Sequence, residues 1–189
     1  MRKSDSGGCI SFNHVRHRRD PEVAEWAKSI RQRYEGKKLI VGRDKLDEVS
    51  VSAGFLGLAC TRQLIFPVAQ GVRHKIIAFE QFLERYPEFQ GQVVLIQVAL
   101  STTEQNELQA SITDVISHVN NRFGSLTYQP VVLLHTQDIT FSMYLGLLTA
   151  ADAFIVTSLR EGMALRTHEF VECQHERKRP LLLSEVCVS

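Results

Sequence analysis

The sequence has few cysteines, no long apolar run and almost no net charge. Its four cysteines show no C-x-x-C spacing and are too sparse for a disulfide framework, so we predict a cytoplasmic chain with reduced thiols. No apolar stretch is long enough to cross a bilayer, and we therefore expect no membrane partner. The formal net charge of +1 gives no overall field that would attract nucleic acid, so no nucleic-acid partner is predicted.

Residues 1–20 are rich in polar and basic side chains and are predicted to form a flexible N-terminal segment. No apolar core follows the basic residues, so we expect this segment not to be a secretory signal. The stretch HVRHRRD at 14–20 has the composition of a phosphate-binding patch, but a solvated entry segment is the favoured interpretation. We expect the folded domain to cover residues 21–189.

Beyond this segment, apolar residues alternate between helical spacing and short continuous runs. A helix is predicted to begin at Pro21, with Asp20 as its N-cap. Further helices are predicted around 76–83, at 102–122, around 141–148 and at 162–174, and strands at 38–42, 93–99, 130–134, 153–156 and 181–183. This alternation predicts an α/β fold, a Rossmann-like parallel sheet with helices on both faces. Ligands of such sheets bind beyond the carboxyl ends of the strands, which directs attention to 43–47, 100–103 and 158–165.

Residues 50–70, SVSAGFLGLACTRQLIFPVAQ, interrupt the alternation. The segment has no clear period, contains two glycines and would be an unusually long apolar loop for a compact domain. It is either a surface insertion or translated intron sequence. The second interpretation is favoured because valine codons begin with GT and Gln70 can be encoded by CAG. Sequencing the mature transcript across 49–71 decides between the two.

Five motifs follow one another in order: VGRDKLDEV, RHKIIAFEQFLERYPE, VLIQVALSTTEQ, ADAFIVTSLREGMALRTHEF and PLLLSE. Together they resemble the trehalose-6-phosphate synthase family, glycosyltransferase family 20, and within it the fungal regulatory and phosphatase subunits of the trehalose synthase complex. The resemblance runs from about residue 21 to 185, apart from 50–70. It implies the C-terminal, donor-binding half of a GT-B fold, from a family that transfers glucose from UDP-glucose to glucose-6-phosphate. The acceptor half would precede this one, so we expect the chain to be a fragment or a half-domain.

The resemblance assigns donor binding to residues at the strand ends. Lys45 matches a basic phosphate contact, and Glu169 matches the carboxylate that holds the ribose hydroxyls. Glu161 stands where the family has an aspartate that binds the donor glucose, and its extra methylene displaces the carboxylate. Phosphate oxygens would face backbone N–H groups at a helix start, those of Met163, Ala164 and Leu165.

These residues also have structural interpretations that stay open. Lys45 could belong to a solvated turn, and Glu169 could pair with Arg166 on a helix surface, a contact contributing about 0.2–0.5 kcal/mol. Asp114 and His118 are four residues apart on a predicted helix, but two ligands alone do not make a metal site. No metal and no cofactor are predicted.

Several departures from the family pattern affect the implied site. Active members have asparagine in place of Ala164, arginine in place of Thr103, and a second lysine at the position of Gln70 or Ser50. Losing one charge-assisted phosphate contact costs about 1.5–3 kcal/mol. We therefore expect a weak or vestigial UDP-glucose site and assign no catalytic residue.

The predicted function is a non-catalytic or regulatory synthase-like subunit, or a fragment of one, in trehalose biosynthesis. Its expected partners are other subunits of a trehalose synthase complex. Two alternatives remain: part of an active α,α-trehalose-phosphate synthase, and the synthase-like region of a trehalose-phosphatase.

Overall fold

The computed structural model describes residues 20–45, 72–100, 106–157 and 165–183. Most of the predicted N-terminal segment and the whole of 50–70 lie outside these ranges. The described helices are α1 (Pro21–Arg33), α2 (Val72–Arg85), α3 (Asn106–Phe123), α4 (Phe141–Ala150) and α5 (Leu165–Cys173), and the strands are β1 (Lys38–Lys45), β2 (Val93–Leu100), β3 (Val131–His135), β4 (Ala153–Val156) and β5 (Leu181–Leu183). None of these helices has the length and apolarity that crossing a membrane requires.

The five strands form one parallel sheet in the order β3-β2-β1-β4-β5. The chain moves outward from β1 to β3 and then returns to place β4 on the other side of β1. This is the strand order of a doubly wound fold, and it confirms the predicted Rossmann-like sheet. The order reverses between β1 and β4, so these two strands flank the switch point.

Helices cover both faces of the sheet, because alternate strand residues point to opposite sides. Residues of α1, α4 and α5 form one core with half of the strand side chains, including Leu39, Val41 and Phe154. Residues of α2 and α3 form the second core with the other half, including Leu95 and Val131. The predicted arrangement of helices on both faces is therefore confirmed.

Most predicted elements are present, with one informative error. Strands β4 and β5 have the predicted bounds, and Asp20 caps α1 by accepting a hydrogen bond from the Glu22 backbone N–H at 3.4 Å. The predicted end of β1 at residue 42 is wrong, because β1 continues to Lys45. Polar residues extend the strand since Lys45 still pairs with Leu100 and the Asp44 side chain is buried.

The amino ends of β1 and β4 are joined by the Asp152 carboxylate. It accepts hydrogen bonds from the Leu39 backbone N–H at 3.0 Å and from both terminal nitrogens of Arg31, at 2.9 and 3.1 Å. Arg177 adds a bond at 2.9 Å, and an Arg179 nitrogen lies 3.6 Å away. Ligands of such sheets bind at the carboxyl ends of the strands, whereas this network lies at the amino ends. We therefore assign it a role in stabilising the fold.

α1 and α4 approach so closely at Gly146 that no side chain fits there. An added Cβ would lie 2.6 Å from the Trp26 Cβ and 3.1 Å from the Ala27 nitrogen. We expect Gly146→Val to lower the free energy of unfolding by about 1–3 kcal/mol through overpacking, measured by urea denaturation. Ala24→Val, on the exposed side of α1, is the control and should change it by about half a kcal/mol. Equal effects for the two variants would contradict this packing.

Candidate functional site

The candidate site lies at the carboxyl ends of β1 and β4. These strands are neighbours in the sheet although more than a hundred residues separate them in the sequence. α5 follows β4 and packs against α4, so side chains from three elements converge at this end. Open α/β sheets bind ligands at such a switch point.

Arg43, Tyr144 and Glu169 form a contact triad at this place. The Arg43 guanidinium lies 4.3 Å above the centre of the Tyr144 ring, within the range of a cation–π contact. One of its nitrogens, Nη1, lies 3.4 Å from Glu169 Oε2, and the Tyr144 hydroxyl donates to the same oxygen at 3.0 Å. Glu169 is therefore held by a cation and a hydroxyl from its own chain.

The triad is largely shielded from solvent, and this affects the tyrosine. The Tyr144 residue is 3% exposed, and the Arg43 and Glu169 side chains are 20% and 13% exposed. Burial raises the pKa of the Tyr144 hydroxyl, and the Glu169 carboxylate raises it further, although Arg43 opposes the change. The hydroxyl therefore keeps its proton at neutral pH and remains a donor to Glu169.

The hydroxyl bond can be tested by Tyr144→Phe, which preserves the ring. We expect this change to lower the free energy of unfolding by about 1.5–3 kcal/mol, because a bond to a buried carboxylate is lost. Urea denaturation measures it, with Tyr86→Phe at a tyrosine that is 41% exposed as the control. If both variants were as stable as the wild type, the Tyr144 bond would have no energetic role.

Within the described ranges, three buried polar atoms at this end of the sheet have no hydrogen-bond partner: Arg43 Nε, Asp44 Oδ1 and Thr157 Oγ1. Two belong to the end of β1, and Thr157 directly follows β4. Buried polar groups are nearly always satisfied by protein or ordered water, so unsatisfied atoms call for an explanation.

A buried lysine supports the strand ends beneath this site. Lys75 of α2 lies 2.5 Å from Asp44 Oδ2, 3.1 Å from Gln97 Oε1 and 3.3 Å from the Ile155 carbonyl oxygen. Gln97 also donates to Asp44 Oδ2 at 3.0 Å. Burial lowers the pKa of Lys75, although the Asp44 carboxylate opposes the change. One ammonium thus links β1, β2 and β4 next to the residues that carry the site.

Gly42 makes room for this lysine. A Cβ at position 42 would lie 2.6 Å from both Lys75 Nζ and Gln97 Oε1. A glycine in a strand interior often marks such a close approach, and the polar contacts explain this one.

The structure describes only part of the predicted site. Glu161, Met163 and Ala164 lie outside the described ranges, and Lys45 ends β1 with no side chain described. Leu165 begins α5 with its side chain 45% exposed.

Glu169 lies near the switch point, and its contact with a ribose stays a prediction. The sequence did not reveal its contacts with Arg43 and Tyr144. Arg166, the neighbour proposed for it, donates to the Arg43 carbonyl oxygen at 2.9 Å.

No group of three or more histidine, cysteine, aspartate or glutamate side chains suited to a metal occurs within the described ranges. His118 Nε2 lies 3.5 Å from a Glu80 carboxylate oxygen.

Comparison with known sequences identifies relatives along most of the chain. The sequence model of glycosyltransferase family 20 matches residues 63–189. The putative α,α-trehalose-phosphate synthase [UDP-forming] 100 kDa subunit of Schizosaccharomyces pombe is 40% identical over 168 residues, covering 88% of this chain and 16% of that protein. The trehalose synthase complex regulatory subunit TSL1 of Saccharomyces cerevisiae is 37% identical over 179 residues, covering 94% of this chain and 14% of that protein.

A solved structure shares both sequence and fold with this chain. It is the N-terminal domain of trehalose-6-phosphate phosphatase from Candida albicans, which is 35% identical with a TM-score of 0.77. The similarity covers 95% of this chain and 34% of the solved chain. The chain therefore spans about a third of that structure and a still smaller part of the curated relatives.

Proposed function

The chain belongs to glycosyltransferase family 20, and from this premise we propose that it serves trehalose biosynthesis in the cytoplasm as a non-catalytic or regulatory synthase-like subunit, or as a fragment of one. Its fold is the C-terminal Rossmann-like half of the GT-B architecture.

The observation that carries the proposal is the state of Glu169. By resemblance this carboxylate would accept hydrogen bonds from the ribose hydroxyls of the donor. In this chain Arg43 Nη1 and the Tyr144 hydroxyl already contact its Oε2, at 3.4 and 3.0 Å. Charge-assisted bonds are stronger than bonds between neutral groups, so a ribose would have to compete with them. A donor site of this kind is expected to bind UDP-glucose weakly or not at all.

The identities of other residues support the same conclusion. Ala164 stands where the resemblance implies asparagine, and Thr103 where it implies an arginine that contacts phosphate. Glu161 replaces the aspartate that would hold the donor glucose. Each of these changes removes or displaces a polar contact, and contacts that position a reacting group must be accurate to better than about 1 Å.

The proposed partners are other subunits of a trehalose synthase complex. Support comes from relatives whose names describe them as subunits: a regulatory subunit of that complex in one case and a 100 kDa subunit in the other. Such a partner would use the chain as a scaffold or as a regulatory surface rather than as a second catalyst.

A second candidate function is the synthase-like region of a trehalose-phosphatase. It is favoured by the Candida albicans structure, whose name assigns it to the N-terminal domain of a trehalose-6-phosphate phosphatase. In that case phosphate hydrolysis would belong to another domain. The third alternative, part of an active synthase, would require the donor to bind Glu169 beside Arg43 or in its place.

The proposal is tested by mixing the full chain with an intact, purified trehalose-6-phosphate synthase subunit. We expect sedimentation velocity to show a complex, and we expect the chain alone to release no UDP from UDP-glucose and glucose-6-phosphate. UDP release by the chain alone would establish the active-synthase alternative. A chain that neither sediments with the synthase nor changes its rate would contradict a role in the complex.

A further inference from the structure

A row of adjoining cavities lies along β3 on the face of the sheet that carries α1 and α4. Three adjoining cavities of about 280, 110 and 200 Å³ form it, and neighbouring cavities share wall residues. The first and second share Tyr34 and Val132, and the second and third share Ile139 and Tyr144. We call this feature the β3 groove.

Among the described helices, none covers this part of the sheet, and this leaves the β3 groove open. α1 and α4 pack against each other, and α4 lies over β1. Val132 and Leu134, which point into the groove from β3, are therefore only half-buried. Parallel sheets are ordinarily covered on both faces, so an apolar strip of this kind is a place where another element can pack.

The charged residues that line the groove are all positive. Arg33 and Lys37 line one end and Arg43 the other, whereas the described lining residues include no aspartate or glutamate. Arg43 is engaged with Glu169. Arg33 contacts the Tyr34 ring, and Lys37 contacts the Tyr128 ring and the Thr127 carbonyl oxygen; within the described ranges neither cation meets a carboxylate.

The groove combines an apolar middle with two cations, Arg33 and Lys37, at one end. The middle cavity is lined mainly by aliphatic side chains such as Ile96 and Leu147, and tyrosines stand along its length. Protein interfaces have this composition: an apolar centre, a polar rim, and enrichment in tyrosine and arginine.

We propose that the β3 groove binds an amphipathic, acidic helix of a partner protein. β3 has five residues and spans about 16 Å, which is the length of roughly three turns of helix. The apolar stripe of such a helix would cover Val132 and Leu134, and its carboxylates would pair with Arg33 and Lys37. The inference rests on the groove alone and holds whether or not the partner belongs to trehalose synthesis.

The test uses two fluorescein-labelled 18-residue helical peptides that share a leucine and phenylalanine stripe. One carries glutamates on its polar face and the other carries lysines at the same positions. Fluorescence anisotropy with the full chain should show saturable binding of the acidic peptide only. Because the pairing is electrostatic, the affinity should fall as salt is raised.

Charge reversal locates the site. Arg33→Glu combined with Lys37→Glu should weaken binding of the acidic peptide about tenfold or more, since like charges are then opposed. Lys28→Glu, an exposed residue of the same helix α1 that does not line the groove, is the matched control and should leave the affinity within about twofold. Circular dichroism of each variant confirms that the fold is retained.

Several outcomes would overturn the proposal. They are failure of the acidic peptide to bind, equal binding of both peptides, and binding that the double reversal leaves unchanged. If the chain self-associates and Val132→Lys abolishes this self-association, the groove binds a second copy of the chain instead. Binding to phosphatidylserine vesicles without binding to the peptide would assign it to an anionic lipid surface.

Discussion

Replacing Lys75 with methionine is expected to lower the free energy of unfolding by about 3–5 kcal/mol, because it leaves a buried carboxylate without its cation. The Lys75 and Asp44 side chains are 3% and 4% exposed, and Lys75 Nζ lies 2.5 Å from Asp44 Oδ2. Gln97 would remain as a neutral donor to Asp44 and cannot replace the charge. Urea denaturation followed by circular dichroism measures the loss.

Two further variants separate this cause from general damage to α2. Arg73→Met changes an exposed residue of the same helix and should alter stability by no more than about 0.5 kcal/mol. Combining Lys75→Met with Asp44→Leu removes both charges and should recover part of the loss, as replacing a buried pair by apolar groups often does. If the double variant were less stable than Lys75→Met alone, the unpaired carboxylate would not be the source of the effect.

Asp152→Ala is expected to lower the free energy of unfolding by about 2–4 kcal/mol at neutral pH. The change removes the acceptor for Arg31 and Arg177 and for the Leu39 backbone N–H. Asp114→Ala, at an exposed aspartate of α3, is the control and should be close to neutral.

Asp152 should also affect how the stability of the protein depends on pH in acid. Burial by itself raises the pKa of Asp152, but hydrogen bonds from Arg31 and Leu39 outweigh it and hold the pKa below its ordinary value of 3.8. A carboxylate whose pKa is lowered by folding stabilises the folded state above pH 3.8. This stabilisation is lost as the pH falls through the lower pKa of the folded state. Asp152→Ala should therefore flatten the decline of stability in that acid range. An unchanged acid profile would contradict the role given to the Arg31 and Leu39 contacts.

The sequence predicted the sheet because its strands are apolar runs between amphipathic helices. The first and last residues of β4 and β5 could be predicted, because polar residues or proline flank their apolar runs. The end of β1 could not, because Arg43, Asp44 and Lys45 have the composition of a turn. Their extended conformation depends on pairing with β2 and on Lys75, which is 31 residues away from Asp44.

The site was predictable only in part for the same reason. Glu169 could be placed because a motif surrounds it and the strand order brings its helix to the switch point. Its partner Arg43 lies 126 residues away, and Tyr144 had the spacing of a core residue, which it also is. No local pattern reports that a core tyrosine and a strand arginine share one carboxylate. The polar residues of an otherwise apolar strand, 43–45, were the available signal.

The central proposal is that Glu169, the ribose contact implied by the family resemblance, is held by side chains of its own chain. Isothermal titration calorimetry of the full chain with UDP-glucose tests it most directly, with an active trehalose-6-phosphate synthase titrated in parallel to show that the ligand is competent. We predict no saturable binding tighter than about 1 mM, because Arg43 and Tyr144 already contact Oε2 of Glu169 and a ribose would have to compete with them. A micromolar dissociation constant would contradict it and would favour the active-synthase alternative.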